Sequence, residues 1–171
     1  ILSNAEASIL VTVPEARGVA RLLEARVAGL RRVVTVAELT DKAGAPLAVS
    51  IRQDDIAFIQ YTSGSTGDPK GVVLTHANLL ANIRAMGEAT DVRRDDVLVS
   101  WLPLYHDMGL ISMWLASLYF AIPLVVMSPL AFLARPERWL RAIQRYRGTI
   151  SAAPNFAYEL CVKRIDDALL D

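Results

Sequence analysis

The chain has 171 residues, and its 18 basic and 18 acidic side chains cancel to a formal net charge of zero. Apolar residues make up 53% and charged residues 21%, which supports one sizeable core and excludes a disordered tail. The charge balance gives no electrostatic case for nucleic acid or an anionic membrane surface. One cysteine and two well-separated histidines, His76 and His106, argue against an internal disulfide and a structural zinc site.

The predicted elements alternate strand and helix. Ser8 to Val13 is a β-branched run stopped by Pro14. Residues 15 to 27 carry Val19, Leu22, Leu23 and Val27 at helical spacing. Arg32 to Val36 is a second strand, and Ala37 to Ser50 reads as a loop with Gly44 and Pro46. Ile56 to Tyr61 is a third strand, and Gly71 to Leu74 a fourth. Thr75 is placed to cap the helix through Leu79, Leu80, Ile83 and Met86. Val97 to Ser100 is a further strand.

No charged residue occurs from Met108 to Ala134. The run to Met127 is long enough to span a bilayer, but Pro123 divides it. It reads better as a buried helix, a turn and a buried strand. Pro136 fits the first turn of a helix through Trp139, Leu140 and Ile143. Thr149 to Ala153 is a last strand, and Pro154-Asn155 leads into a final helix with Phe156, Leu160 and Ile165 on one side. Near-continuous apolar strands alternating with helices predict an α/β layered fold with a buried, largely parallel sheet flanked by helices. The arginines at 138, 141, 145 and 147 read as a solvated helix face.

Residues 61 to 71 read Tyr-Thr-Ser-Gly-Ser-Thr-Gly-Asp-Pro-Lys-Gly. Gly64 and Gly67 permit backbone torsions that side chains resist, so the turn can aim several N–H groups at one anion. Hydroxyls at Thr62, Ser63, Ser65 and Thr66, and the cation of Lys70, complete a donor set suited to a polyphosphate. The spacing is not that of the P-loop, which places Gly-Lys-Ser/Thr after a four-residue gap and opens a helix. Here a strand follows. Nor is Gly64-x-x-Gly67 a dinucleotide fingerprint.

This loop resembles the signature loop of the adenylate-forming superfamily, which includes acyl-CoA synthetases, luciferases and adenylation domains. Ser100 to Ile111 (Ser-Trp-Leu-Pro-Leu-Tyr-His-Asp-Met-Gly-Leu-Ile), Met127 to Leu133 and Pro154 to Cys161 resemble its fatty acyl-AMP ligase branch. The resemblance implies that a long-chain fatty carboxylate attacks the α-phosphorus of ATP to give acyl-adenylate and pyrophosphate, with Mg2+ as cofactor. It implies that Thr62, Ser63, Gly64, Ser65, Thr66, Gly67 and Lys70 grip the leaving phosphates. It also implies that the acyl group passes to an acyl carrier protein or polyketide synthase.

His106 matches a family position near the reacting carboxylate. Read from the residues, it fits equally a structural histidine at a strand-to-helix junction. Asp107 reads as a cap for the helix that follows. Met108, Gly109, Ser112, Asn155 and Phe156 are expected to border the acyl pocket. His76 reads as a solvated residue at a helix start, and Cys161 as core. The family's magnesium-holding Glu motif, its ribose-binding Asp and its C-terminal domain with the catalytic lysine are not found in these residues, so no metal ligand is expected here. The chain opens Ile-Leu-Ser-Asn without an initiator Met or basic leader and closes within a helical pattern. With a mean hydropathy of +0.33, it is expected to be a fragment of the N-terminal domain of a cytoplasmic enzyme. Alone, it is expected to be inactive. The alternatives are a fragment of a long-chain acyl-CoA synthetase, or a non-catalytic nucleotide- or lipid-binding module of the same fold.

Overall fold

The computed structural model describes residues 1–40, 44–45, 47–62 and 69–166. The chain divides into two compact units, Ile1–His76 and Ala77–Asp171.

In the first unit, β1 (Ile9–Thr12) pairs in parallel with β2 (Arg32–Thr35), Ile9 opposite Arg32. Between them a 3-10 turn (Pro14–Ala16) leads into α1 (Arg17–Glu24). Ala20, Leu30 and Val33 are buried together, with Leu10, Leu23 and Val27 packed against them. The Glu24 carboxylate accepts the Val33 N–H at 2.9 Å, tying the helix end to the strand.

The first part of the predicted 37–50 loop is helical: α2 spans Val36–Thr40. Its cause is a reciprocal cap. The Thr35 N–H and hydroxyl both donate to Glu38 Oε2, at 2.8 and 3.1 Å, and the Glu38 N–H reaches back to Thr35 Oγ1. Thr-x-x-Glu is a sequence signature for a helix start, and it outweighs the glycine and proline further on. The Thr35 N–H, with the Thr35 hydroxyl and Arg17, holds the Glu38 carboxyl below the usual carboxylate range despite partial desolvation.

β3 (Ile56–Thr62) and β4 (Lys70–Thr75) form an antiparallel hairpin with an irregularity between Ile56 and Phe58. The expectation of a buried, largely parallel sheet needs this qualification. Most hairpin residues are exposed or half-buried. Among the described residues the strands pair two by two.

The second unit holds the larger core. After α3 (His76–Ala89), whose first residue closes the first unit, comes β5 (Leu98–Ser100), buried at all three positions. It pairs in parallel with β6 (Leu124–Val126) on one side. On the other side it meets the predicted last strand, which makes a single bridge, Leu98 to Ile150. A side chain explains why pairing stops there. The Ser151 hydroxyl donates to the Val99 carbonyl at 2.6 Å, taking the acceptor that the next rung of a parallel ladder would use.

The charge-free stretch forms a π-helix (Met108–Leu115) continuous with α4 (Ala116–Phe120), then β6. No helix among the described residues is long and apolar enough to cross a membrane. α5 (Pro129–Ala134), unpredicted, starts where Ser128 Oγ accepts the Leu130 N–H and Pro129 sets the first turn. α6 (Glu137–Tyr146) follows Pro136, and all four arginines at 138, 141, 145 and 147 are exposed as expected. α7 (Asn155–Arg164) buries Ala157 and Cys161. Of its expected apolar side, Leu160 and Ile165 pack against the core, while Phe156 remains half exposed at 51%.

Aromatic side chains join these helices to β5. Trp101 stacks on Phe132 at 4.0 Å and meets Trp139 edge-on at 6.2 Å. Phe132 has no exposed surface. Such pairs add about 0.5–1.5 kcal/mol each beyond area burial. The Trp139 indole N–H donates to Ser151 Oγ at 2.9 Å, so the hydroxyl that ends the ladder also satisfies a buried donor.

Candidate functional site

Two groups of residues predicted for the site fall in different units. In the first unit, the hairpin register sets Thr62 opposite Lys70. The two strands thereby bring both ends of the hydroxyl- and glycine-rich loop together, with both residues exposed. Ser63, Gly64, Ser65, Thr66 and Gly67 lie outside the described residues. The hairpin is anchored below the loop by Tyr61, whose hydroxyl donates to the Asn4 side-chain carbonyl. Gly71, opposite Tyr61, is required by close approach. A Cβ there would lie 2.9 Å from Ile59 Cγ2 and 3.2 Å from Tyr61 Cζ.

In the second unit, β5 delivers the chain into Trp101 and Leu102, both buried, and then into the exposed turn bearing His106. Parallel strands place ligands beyond their carboxyl ends, and His106 lies there. Its N–H donates to the Pro103 carbonyl, and its carbonyl accepts from Leu110. His106 Nδ1 lies 2.6 Å from Asp107 Oδ1. The Met108 N–H lies 2.7 Å from Asp107 Oδ1 and 3.3 Å from His106 Nδ1. Asp107 caps the helix as expected, and its carboxylate holds the imidazole on the Nδ1 side.

His106, Met108 and Phe156 share an apolar cavity of about 400 Å³ with Trp101, Pro129 and Leu133. The last three were missed as lining residues by sequence reasoning. Pro129 and Leu133 lie on α5, a helix too short to show a periodic pattern in the sequence. The Trp101 ring is held by Phe132 on its face and by Phe156 on its edge, 6.1 Å away.

Ser112 borders a second apolar cavity of about 300 Å³, between α3, the π-helix and the sheet. Its hydroxyl lies 3.2 Å from Met86 Sδ. Gly109 has a different part from the one expected. It is buried, and a Cβ on it would come within 2.3 Å of the Pro103 carbonyl oxygen. It is a packing contact between the π-helix and the strand-exit turn rather than a wall of the pocket. Asn155, the first residue of α7, is exposed and borders neither cavity. His76 is half-buried, and Cys161 is buried, its thiol pushed up by desolvation.

The model of the AMP-binding enzymes matches residues 1–169. The chain belongs to that family. Among curated members, a medium-chain fatty acid–[acyl-carrier-protein] ligase of Teredinibacter turnerae is 53% identical over 119 residues, 70% of this chain and 18% of that protein. A long-chain fatty acid–AMP ligase of Mycolicibacterium smegmatis is 41% identical over 175 residues, 96% of this chain and 27% of that protein. The chain thus spans 18% to 27% of the length of these two relatives. Among solved structures, the fatty acyl-adenylate ligase of L. pneumophila in complex with acyl adenylate and pyrophosphate superposes with a TM-score of 0.84 at 36% identity. That match covers 100% of this chain and 30% of that one. A chain from structural studies of fatty acyl-adenylate ligases of E. coli and L. pneumophila gives 0.90 at 34% identity, covering 99% of this chain and 31% of that one. The adenylate-forming fold expected from the motifs is borne out.

Proposed function

We propose that this chain is part of the N-terminal domain of a fatty acyl-AMP ligase, which joins a fatty acid to AMP from ATP and hands the acyl group to an acyl carrier protein or polyketide synthase. The observation that carries this reading is the match of the whole chain to a ligase held with acyl adenylate and pyrophosphate. The carrier-protein acceptor is supported by the relative from Teredinibacter turnerae.

In this reading the loop between Thr62 and Lys70 binds the β- and γ-phosphates. Negative charge develops on pyrophosphate as it leaves, and fixed hydroxyl, N–H and ammonium donors stabilise it without reorganising. His106 stands by the fatty carboxylate. Asp107, 2.6 Å from Nδ1, orients its imidazole. The apolar walls of the two cavities exclude water from the acyl group and its chain. In this reading the parent enzyme is cytoplasmic.

Mg2+ in such chemistry neutralises phosphate charge. Among the described residues no group of three or more His, Cys, Asp or Glu could hold a metal ion. No step is assigned to the ion.

The test is a product assay on the intact protein with a fatty acid, Mg-ATP and either CoA or a phosphopantetheinylated carrier protein. The expected products are acyl-adenylate and acyl-carrier protein, with little acyl-CoA. Rapid acyl-CoA formation would overturn the branch assignment, and absence of acyl-adenylate would overturn the reaction.

A further inference from the structure

The second cavity has a direction. β5 and the segment through Ile150 run parallel, and both lead toward His106. On that segment Ala152 borders the second cavity and Pro154 the first. On the helix opposite, Met108 borders the first cavity and Ser112 the second. From this near end the second cavity follows the helix to Phe120, the last residue of α4, and to Ile122. Pro123, next in the chain, bonds through its carbonyl to the Leu98 N–H at the start of β5. Phe120 therefore stands at the end remote from His106.

The Phe120 ring is held there. Gly87 of α3 is buried beneath it, and a Cβ at that position would lie 2.2 Å from Phe120 Cζ. Tyr119 meets the ring edge-on at 4.9 Å, and the Tyr119 hydroxyl accepts from Arg84 Nε at 2.8 Å. Ala121, in the left-handed conformation at φ 54°, ends α4 immediately after it and fixes where the ring leaves the helix.

We propose that Phe120, seated in the notch left by Gly87, is the end wall of the acyl cavity and sets the longest fatty chain the adenylation site accepts. This rests on the reading of the chain as a fatty-acid adenylating ligase. An apolar ring at the far end of an apolar cavity does not discriminate chemistry. It discriminates length, because further methylenes meet the ring. Gly87 acts through Phe120 and is a positioning residue.

The experiment measures ATP–pyrophosphate exchange by the intact protein with octanoate, laurate and palmitate, for the unaltered protein and for Phe120→Leu, Phe120→Ala and Gly87→Ala. Each methylene newly admitted to an apolar site favours binding about fourfold, so room for two raises the palmitate-to-octanoate ratio roughly fifteenfold. The ratio rises from the unaltered protein to Phe120→Leu to Phe120→Ala. It falls in Gly87→Ala, whose methyl group pushes the ring into the cavity. Phe120→Leu keeps the wall apolar and carries the test if the alanine variant fails to fold. Exchange that persists with an unchanged ratio in the leucine variant overturns the proposal. No exchange with any of the three acids in the unaltered protein overturns the adenylation reading itself.

Discussion

Replacing Gly109 by alanine separates two accounts of the same residue. As a pocket wall, a methyl group at 109 would trim the acyl cavity and change chain-length preference. In the structure the new Cβ instead meets backbone, 2.3 Å from the Pro103 oxygen, 2.9 Å from the Pro103 carbon and 3.0 Å from the Leu102 oxygen. The closest approach is about 1 Å inside an ordinary contact of ~3.5 Å, and no flexible side-chain tip is available to yield. The start of the π-helix must move away from the strand-exit turn. Overpacking of this kind costs about 1–3 kcal/mol. His106 and Met108 lie on the moving segment, and a misplacement of ~1 Å at a reacting centre can cost on the order of 100-fold in rate. The expected outcome is a lowered denaturation midpoint together with a loss of acyl-adenylate formation that is similar for octanoate, laurate and palmitate. Denaturant titration and pyrophosphate exchange on the intact protein measure both. Unaltered stability with a selective loss of long chains would refute the packing account and return Gly109 to the pocket.

In the intact protein Lys70→Ala is expected to lower adenylation by about 2.7–4 kcal/mol in the transition state, with fatty-acid binding little changed. Exchange kinetics beside direct acid binding check this, and unaltered exchange would assign Lys70 to structure. Ser151→Ala leaves the buried Trp139 indole N–H without its acceptor, a loss of about 1–3 kcal/mol; a denaturation midpoint that does not move would contradict it. Asp96 accepts the Thr149 hydroxyl at 2.7 Å and the Arg93 N–H at 2.6 Å, and these bonds, Thr149 first, hold its carboxyl below the usual range. The unfolded chain therefore takes up its proton at higher pH than the folded one. The stability this adds is present above the ordinary carboxylate range and is lost as pH falls through the lowered value. Melting temperature followed from neutral to acid pH should fall less steeply in Asp96→Asn than in the unaltered protein.

Local signals were legible wherever the cause is local. The run Ile56 to Tyr61 is a strand, and Asp107 caps its helix because a carboxylate beside the first free N–H needs no distant partner. The Thr35-x-x-Glu38 box was equally local, though the glycine and proline beyond it hid it. The family, and with it the adenylate-forming fold, was written in contiguous motifs.

What the sequence could not determine lies in pairs of residues far apart in the chain. The periodicity of α7 points to Phe156, but the helix turns Ala157 and Cys161 inward because the bulky cluster of Trp101, Phe132 and Trp139 leaves room there for small side chains. Ser151 ends a ladder because its hydroxyl reaches Val99, 52 positions earlier. Gly109 and Phe156 both read from the sequence as pocket residues, yet one packs against a carbonyl and the other borders a cavity. Composition and spacing fix which groups are available. Steric exclusion between distant backbone segments, decided only when the core closes, determines which of them face a ligand.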